Sequence, residues 1–104
     1  MKAIEKRPGC VKAALCIVGD KWTGLILQEM VGGAHRFSTL ERALPGISPR
    51  TLSQRLDALE HEGIITKQTF QEIPPRVEYT LTAKGTDLVP ILRQMADWGY
   101  KYAA

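Results

Sequence analysis

The segment 48–62 contains the side chains best suited to recognising another molecule. Arg50, Thr51 and Gln54 carry guanidinium, hydroxyl and amide groups, which can hydrogen-bond to base edges in the major groove of DNA. The dipeptide Ser48-Pro49 stands directly before them and is typical of a helix start, because serine caps the helix and proline fits its first position. We therefore expect these polar groups at the N-terminal end of a helix.

The same segment also has an apolar face. Leu52, Leu56 and Leu59 recur at helical spacing, and at about 100° per residue they fall within roughly 60° of one another. The C-terminal half of the opposite face turns acidic at Asp57 and Glu60, which phosphates would repel. The pattern predicts a helix whose leucines face the core and whose N-terminal end enters the groove, as in helix-turn-helix proteins.

Positive charge is concentrated around this segment. The chain from His35 to Leu56 has four arginines and one acid, Glu41, so its excess of three positive charges equals the net charge of the whole protein. Arginine suits forked contacts to phosphate or guanine. Arg36 and Arg55 are therefore expected to contact DNA. The alternative is an ordinary solvated surface of an amphipathic helix.

Helix signals place the segment in a pair of helices. Ser38-Thr39-Leu40-Glu41 fits a capping box, which predicts a helix of about two turns ending near Leu44. Pro45-Gly46 then breaks the chain, the dipeptide Ser48-Pro49 starts the second helix, and Gly63 ends it. Two helices joined by a tight turn constitute a helix-turn-helix motif.

Other elements are predicted on both sides of this pair. Upstream, helices are expected at 10–18 and at 21–31, the latter capped by Asp20. Downstream, strands are expected at 64–70 and 77–81. The fold class is thus mainly α with a small β-hairpin, a winged helix-turn-helix with extra helices at its N- and C-terminal ends.

The hairpin, or wing, supplies two more candidate contacts. Its tip is stiffened by Pro74-Pro75, and the adjacent Arg76 could reach a minor groove, whereas Lys67 on the first strand could touch a phosphate. Alternatively, Arg76 pairs with Glu72 or Glu78, and Lys67 is an ordinary surface lysine. The residues predicted to contact DNA are Arg36, Ser48, Arg50, Thr51, Gln54, Arg55, Lys67 and Arg76.

The last helix, predicted over 83–102, is expected to kink or break at Pro90 and to be capped by Thr82. Its apolar stripe is broader than one small domain would bury, which is typical of a dimer interface. The first helix, 10–18, is its natural partner, and packing within one chain is the alternative. The predicted dimer interface comprises Val11, Leu15, Leu88, Leu92, Met95, Trp98 and Tyr102.

The two cysteines suggest a second chemistry. Cys10 and Cys16 cannot form a disulfide framework. Cys10 stands at a helix start near Lys6, Arg7 and Lys12, where amide donors and cations favour a reactive thiolate. Cys16 is expected in the core.

Composition limits the remaining classes. The chain has 104 residues, of which 44% are apolar and 24% charged, which leaves room for one domain and excludes collagen-like or wholly disordered proteins. We expect a flexible segment at 1–9 and a single winged-helix domain at 10–104. Residues 1–8 lack the hydrophobic stretch of a signal peptide, and no apolar run reaches the roughly 18 residues that span a bilayer. A cytoplasmic protein without membrane contact is therefore expected.

Catalytic and metal chemistry lack the residues they need. His35 and His61 have no acid or cysteine at ligand spacing. Ser38 and Ser48 are explained as helix caps, and no histidine–acid pair is placed to activate either. We expect no metal, no cofactor and no enzymatic activity.

Several motifs carry a family resemblance. They include Gly19-Asp20-Lys21-Trp22-Thr23, Leu44-Pro45-Gly46-Ile47-Ser48-Pro49-Arg50-Thr51-Leu52 and Pro74-Pro75-Arg76-Val77-Glu78-Tyr79. Over residues 10–99 the chain resembles the HxlR-type transcriptional regulators, a MarR-like branch of bacterial winged-helix proteins. The resemblance implies a homodimer that binds a pseudo-palindromic operator, double-stranded DNA, through two recognition helices. Whether such a protein represses or activates does not follow from it.

The resemblance also implies a role for Cys10. Members of the family often place a cysteine just before the first helix and use its thiol to sense oxidants or electrophiles. The chain departs from the pattern at Val11, where proline is usual. Two alternatives remain open. One is a regulator with an inert Cys10 that binds a small ligand in the dimer crevice near Trp22 and Trp98, and the other is a winged-helix protein-interaction module without DNA binding.

Overall fold

A computed structural model describes residues 9–103 of the chain. The segment predicted to be flexible, together with Lys6 and Arg7, lies outside the described residues, except for Gly9. The elements in chain order are α1 (Val11–Val18), α2 (Thr23–Glu29), β1 (His35–Arg36), α3 (Phe37–Ala43), α4 (Pro49–His61), β2 (Ile65–Phe70), β3 (Arg76–Leu81), α5 (Ala83–Thr86) and α6 (Val89–Tyr102). This order confirms the predicted winged helix-turn-helix, in which α3 and α4 form the helix pair and β2 and β3 the wing.

The predicted leucine face of α4 is buried. Leu52, Leu56 and Leu59 are each at most 3% exposed, and they lie in one cluster with apolar side chains of α2, α3, β2 and α6. Burying three leucines on one side fixes the rotation of α4 about its axis, so its other side must face outward. The sequence prediction of this orientation is confirmed.

The wing is part of a larger sheet than the sequence predicts. The strand order is β1-β3-β2, antiparallel throughout, with His35 opposite Tyr79 and Ile65 opposite Leu81. The two-residue strand β1 was not predicted, because a pair of residues between glycines and a helix has no alternating pattern to detect. It ties the start of α3 to the wing.

The C-terminal end of α4 is fixed by α5. Gly63, with φ +76°, ends the helix in the left-handed region, as expected. The Thr82 hydroxyl donates to the Gly63 carbonyl at 2.6 Å and accepts from the Gly85 amide at 3.1 Å, which confirms the Thr82 cap. A Cβ at Gly85 would lie 2.2 Å from the Ile64 carbonyl oxygen, so this close approach requires glycine. The predicted break at Pro90 is also confirmed, since Pro90 lies in the first turn of α6.

Two helix starts differ from their predictions. The capping box at Ser38 is wrong. Helix α3 begins at Phe37 after an extended Arg36 and has no side-chain cap. The reason is that Arg36 belongs to β1, where it lies opposite Glu78 of β3, and the chain has already turned helical at Ser38. Helix α2 spans Thr23–Glu29, shorter than the expected 21–31, although Asp20 does accept hydrogen bonds at its start.

Two expected environments are also wrong. Cys16, predicted in the core, is exposed, because α1 turns only Ile17 and Val18 toward the cluster. Leu92, predicted at the dimer interface, is 5% exposed and packs in the core of the single chain, and Leu88 packs partly against the same core. Over residues 9–103, every helix is too short or too polar to cross a membrane.

Candidate nucleic-acid interface

The N-terminal end of α4 is built by Ser48. Its Oγ accepts a hydrogen bond from the Thr51 amide at 3.0 Å and donates one to Thr51 Oγ1 at 2.9 Å, with Pro49 at the first helical position. This cap satisfies an amide that the helix itself leaves without a partner. The side chains of Ser48 and Thr51 thus hydrogen-bond to each other within the helix start, and they hold the tip of α4 in one conformation.

Arg50 and Gln54 are the exposed polar groups of this tip. They lie about one turn apart on the outer side of α4, opposite Leu52 and Leu56. Among residues 9–103, Arg50 forms no ion pair with an acidic side chain. The guanidinium and the amide are therefore both available for hydrogen bonds to another molecule, as predicted from the sequence.

Arg55 lies at the flank of this surface and is partly occupied. Its Nη1 is 3.5 Å from Oδ2 of Asp20, which belongs to the loop between α1 and α2. The Arg55 side chain is 37% exposed and the Asp20 side chain 32% exposed. Sequence reasoning identified Asp20 as a helix cap but missed this second partner, because the two residues are distant in the chain, one in a loop and the other on α4.

The Asp20 carboxyl has a lowered pKa. Desolvation by burial raises the pKa, but hydrogen bonds from the side chain and amide of Thr23 and from the Trp22 amide, with the charge of Arg55, outweigh it and bring the pKa below 3.8. The Asp20 carboxylate is consequently charged at neutral pH. It places a negative charge at the edge of an otherwise positive surface.

Two further candidate cations, Arg36 and Lys67, lie on the three-stranded sheet. Arg36 is on β1, exposed, in register with Glu78, and Lys67 is on β2, exposed, opposite Tyr79. Lys67 thus lies on the wing, as predicted, and Arg36 lies on the strand beside it rather than on the helix pair. For Arg36 this follows from β1, which the sequence did not predict.

Arg76 is enclosed by acids at the wing. Its Nη2 lies 3.1 Å from Glu72 Oε2, its Nε lies 3.4 Å from Glu78 Oε2 without making a hydrogen bond, and its guanidinium sits 4.0 Å from the centre of the Phe70 ring. The Arg76 side chain is 28% exposed. The structure therefore contains the pairing that the sequence analysis gave as the alternative to a free Arg76. The charge of this arginine is balanced within the wing.

Cys10 is the N-cap of α1. Its Sγ accepts a hydrogen bond from the Ala13 amide at 3.3 Å, and the residue is exposed. Cys16, six residues further along the chain and within α1, is also exposed and also a free thiol. In the described part of the chain, no group of three histidine, cysteine or acidic residues could hold a metal ion.

Helices α1 and α6 expose large apolar side chains in the single chain. Val11 is 75% exposed and Trp98 is 65% exposed, and the Trp98 and Tyr102 rings pack at an angle of 47° with centroids 5.4 Å apart. Leu15, Met95 and Tyr102 are also more than half exposed. Exposed apolar surface of this extent is typical of a protein–protein contact.

Comparison with known proteins assigns the chain to a family. Residues 17–104 match the model of the family described as HxlR-like helix-turn-helix. The chain belongs to the HxlR-like family. YdeP of Bacillus subtilis (strain 168), an uncharacterized HTH-type transcriptional regulator, is 40% identical over 95 residues, which cover 90% of this chain and 74% of YdeP.

Solved structures of other regulators share the fold. A transcriptional regulator of the MarR family from Porphyromonas gingivalis W83 is 36% identical, with a TM-score of 0.86, over 97% of this chain and 99% of that protein. The redox regulator HypR in its oxidized form is 37% identical, with a TM-score of 0.84, over 90% of this chain and 97% of HypR. The chain is thus a transcriptional regulator of the helix-turn-helix type.

Proposed function

We propose that this HxlR-like protein binds double-stranded DNA as a homodimer and recognises a pseudo-palindromic operator with the N-terminal end of α4. One observation carries the proposal. Arg50 and Gln54 are exposed at the tip of a helix whose leucine face is buried in the core. A helix presented in this way can enter the major groove with its N-terminal end, where arginine pairs with guanine and glutamine with adenine.

The flanking residues fit contacts to the DNA backbone. Ser48 and Thr51 present hydroxyls at the helix tip, and Arg36 on β1 and Lys67 on β2 present cations on the sheet. Arg55 lies beside the tip, and Arg76 lies at the wing with its charge balanced by acids. Phosphate contacts of this kind position a protein on the duplex, whereas base contacts specify the sequence.

Dimerisation supplies the second half-site. One domain of this size offers a small interface to DNA and therefore weak specificity. A dimer contacts two half-sites, which doubles the interface and raises the specificity. The exposed apolar side chains Val11, Leu15, Met95, Trp98 and Tyr102 of α1 and α6 are the surface we assign to this contact. Sedimentation equilibrium at micromolar concentration tests it. We expect the mass of two chains, and the mass of one chain would exclude the dimer.

Selection of duplexes from a random pool, followed by a salt titration of the selected sequence, tests DNA binding. We expect a two-fold symmetric sequence, and log affinity that falls linearly with log salt, because arginines displace counterions from phosphates. A protein-interaction module would select no sequence and show no such slope. That result would contradict the proposal.

We further propose that DNA binding responds to oxidants or electrophiles through Cys10. The thiol caps α1, where the Ala13 amide points at Sγ, and α1 carries part of the proposed dimer surface. Addition of an electrophile to the thiolate, or its oxidation to a disulfide with a second thiol, would displace the start of α1. This displacement would alter the separation of about 34 Å between half-sites. The relation to the redox regulator HypR supports this proposal.

Operator binding before and after diamide treatment tests the role of Cys10. We expect the wild type and Cys16→Ser to lose operator affinity and Cys10→Ser to keep it, because serine retains the cap but not the thiol chemistry. The Cys16 variant is the matched control, since both thiols are exposed on or beside α1. An equal response of the Cys10 variant and the wild type would favour the alternative, a ligand-responsive regulator with an inert Cys10.

A further inference from the structure

The loop between α1 and α2 holds a carboxylate in a fixed position. Oδ1 of Asp20 accepts hydrogen bonds from the amides of Trp22 at 2.8 Å and Thr23 at 2.9 Å, and Oδ2 accepts one from the Thr23 hydroxyl. Thr23 is 2% exposed, so the two bonds that it donates are packed against the core. The carboxylate therefore cannot move without opening the start of α2.

Arg55 is the adjustable partner of this carboxylate. Its guanidinium approaches Oδ2 through Nη1 alone, at 3.5 Å, which is within ion-pair range but too long for a strong hydrogen bond. The other N–H donors of Arg55 face no further acid among the described residues. A long side chain held by one such contact can turn to another anion at little cost.

The position of Arg55 brings DNA within its reach. The residue follows Gln54 directly and lies one turn after Thr51, at the flank of the surface that we assign to the major groove. A recognition helix in the groove has phosphates along both flanks. The guanidinium thus stands between two anions, the fixed carboxylate of Asp20 and a phosphate of the duplex.

We propose that Asp20 competes with DNA for Arg55 and thereby sets how tightly the recognition helix binds DNA of any sequence. The proposal rests on the proposed function, since it requires that α4 binds DNA. In the free protein Asp20 neutralises part of the Arg55 charge. A phosphate must displace or share this partner, and the carboxylate also repels the phosphate. Because base contacts are made by other residues, the effect is equal on operator and non-operator DNA.

The size of the effect follows from the ion pair. Pairs as exposed as this one stabilise weakly, and their loss corresponds to a change of about two- to fivefold in an equilibrium constant. A fully available arginine at a phosphate adds about 0.9 to the slope of log affinity against log salt. Removal of the Asp20 charge should therefore tighten binding by about two- to fivefold and steepen the slope by up to this amount.

The test is Asp20→Asn, measured by fluorescence anisotropy on operator and non-operator duplexes over a range of KCl concentrations. Asparagine keeps an oxygen that caps α2 and loses the charge. Asp20→Ser is a second variant with a neutral cap, and thermal unfolding checks that both fold. We expect Asp20→Asn to bind both duplexes more tightly than the wild type. Most of this gain should vanish when Arg55→Ala is added, because Asp20 and the DNA phosphate then have no arginine to compete for.

Three results with the variants would overturn the proposal. Weaker binding of Asp20→Asn would make Asp20 a positioning residue for Arg55, unchanged binding would make the pair irrelevant, and an equal gain in the Arg55→Ala background would reduce the effect to bulk charge. A wild type that binds no duplex would instead overturn the proposed function itself. In the unsubstituted protein, the ¹³Cγ resonance of Asp20 should shift when non-operator DNA is added, and its constancy under saturating DNA would also exclude competition.

Discussion

Arg50 and Arg76 belong to the same proposed interface but have different surroundings. Arg50 is exposed at the tip of α4 and faces no acid among the described residues. Arg76 lies between Glu72 and Glu78 and stacks on Phe70. A positive residue in the sequence is available to phosphate or to a base only where the fold has not already paired it.

This difference separates the two regions that are expected to contact DNA. The tip of α4 has free hydrogen-bonding groups on a rigid helix, and the wing has an arginine whose charge is compensated by acids four residues before it and two residues after it. Arg55 is intermediate, since it has one distant acid. We therefore expect the α4 tip to account for most of the affinity and sequence preference, and the wing to contribute much less.

The largest expected effect is that of Arg50→Ala. Loss of one bidentate contact to a base costs about 1–3 kcal/mol, so operator affinity should fall by about 5- to 150-fold. Anisotropy on the selected operator measures it. Arg93→Ala removes the same charge from the exposed surface of α6 and is the matched control, which should leave affinity nearly unchanged because salt screens distant charges. Equal losses in both variants would mean that α4 contributes only net charge.

Arg76→Ala is expected to have a smaller effect on the same operator. The arginine is already paired, so its removal should lower affinity by less than about fivefold. Replacing both acids together, Glu72→Gln and Glu78→Gln, frees Arg76 and should tighten binding. A loss for Arg76→Ala as large as that for Arg50→Ala would show that the wing arginine leaves its acids to bind DNA.

The smallest expected effect concerns pH and the Asp20 carboxyl. Its pKa is lowered in the folded protein, so the charged form stabilises the fold fully above the ordinary pKa of 3.8, and this stabilisation disappears as the pH falls through the folded pKa. The difference in free energy of unfolding between wild type and Asp20→Asn should therefore be constant near neutral pH and shrink below about pH 4. Urea unfolding over this range measures it. A difference that grows on acidification would contradict the lowered pKa.

Local patterns predicted most of the fold. The spacing of Leu52, Leu56 and Leu59 determined which side of α4 is buried, and the dipeptide Ser48-Pro49 determined where it starts. These predictions succeed because their causes, helical periodicity and capping, act within a few residues. The break at Pro90 is predictable for the same reason.

The features that sequence reasoning missed depend on contacts between distant residues. Strand β1 exists because His35 and Arg36 pair with β3, and the same pairing makes the expected cap at Ser38 unnecessary. The contact between Asp20 and Arg55 joins two helices whose relative position no local pattern specifies. Leu92 was assigned to a dimer surface because a helical stripe does not indicate which part of it the same chain covers.

Base discrimination by the tip of α4 decides whether this helix reads the operator. Affinities of the wild type and Arg50→Ala are measured for a set of operators in which each base pair is replaced in turn. We predict that the wild type discriminates at several positions and that the variant loses discrimination at one position in each half-site, with the others retained. A variant that binds every operator more weakly but keeps the full wild-type profile would show that Arg50 reads no base.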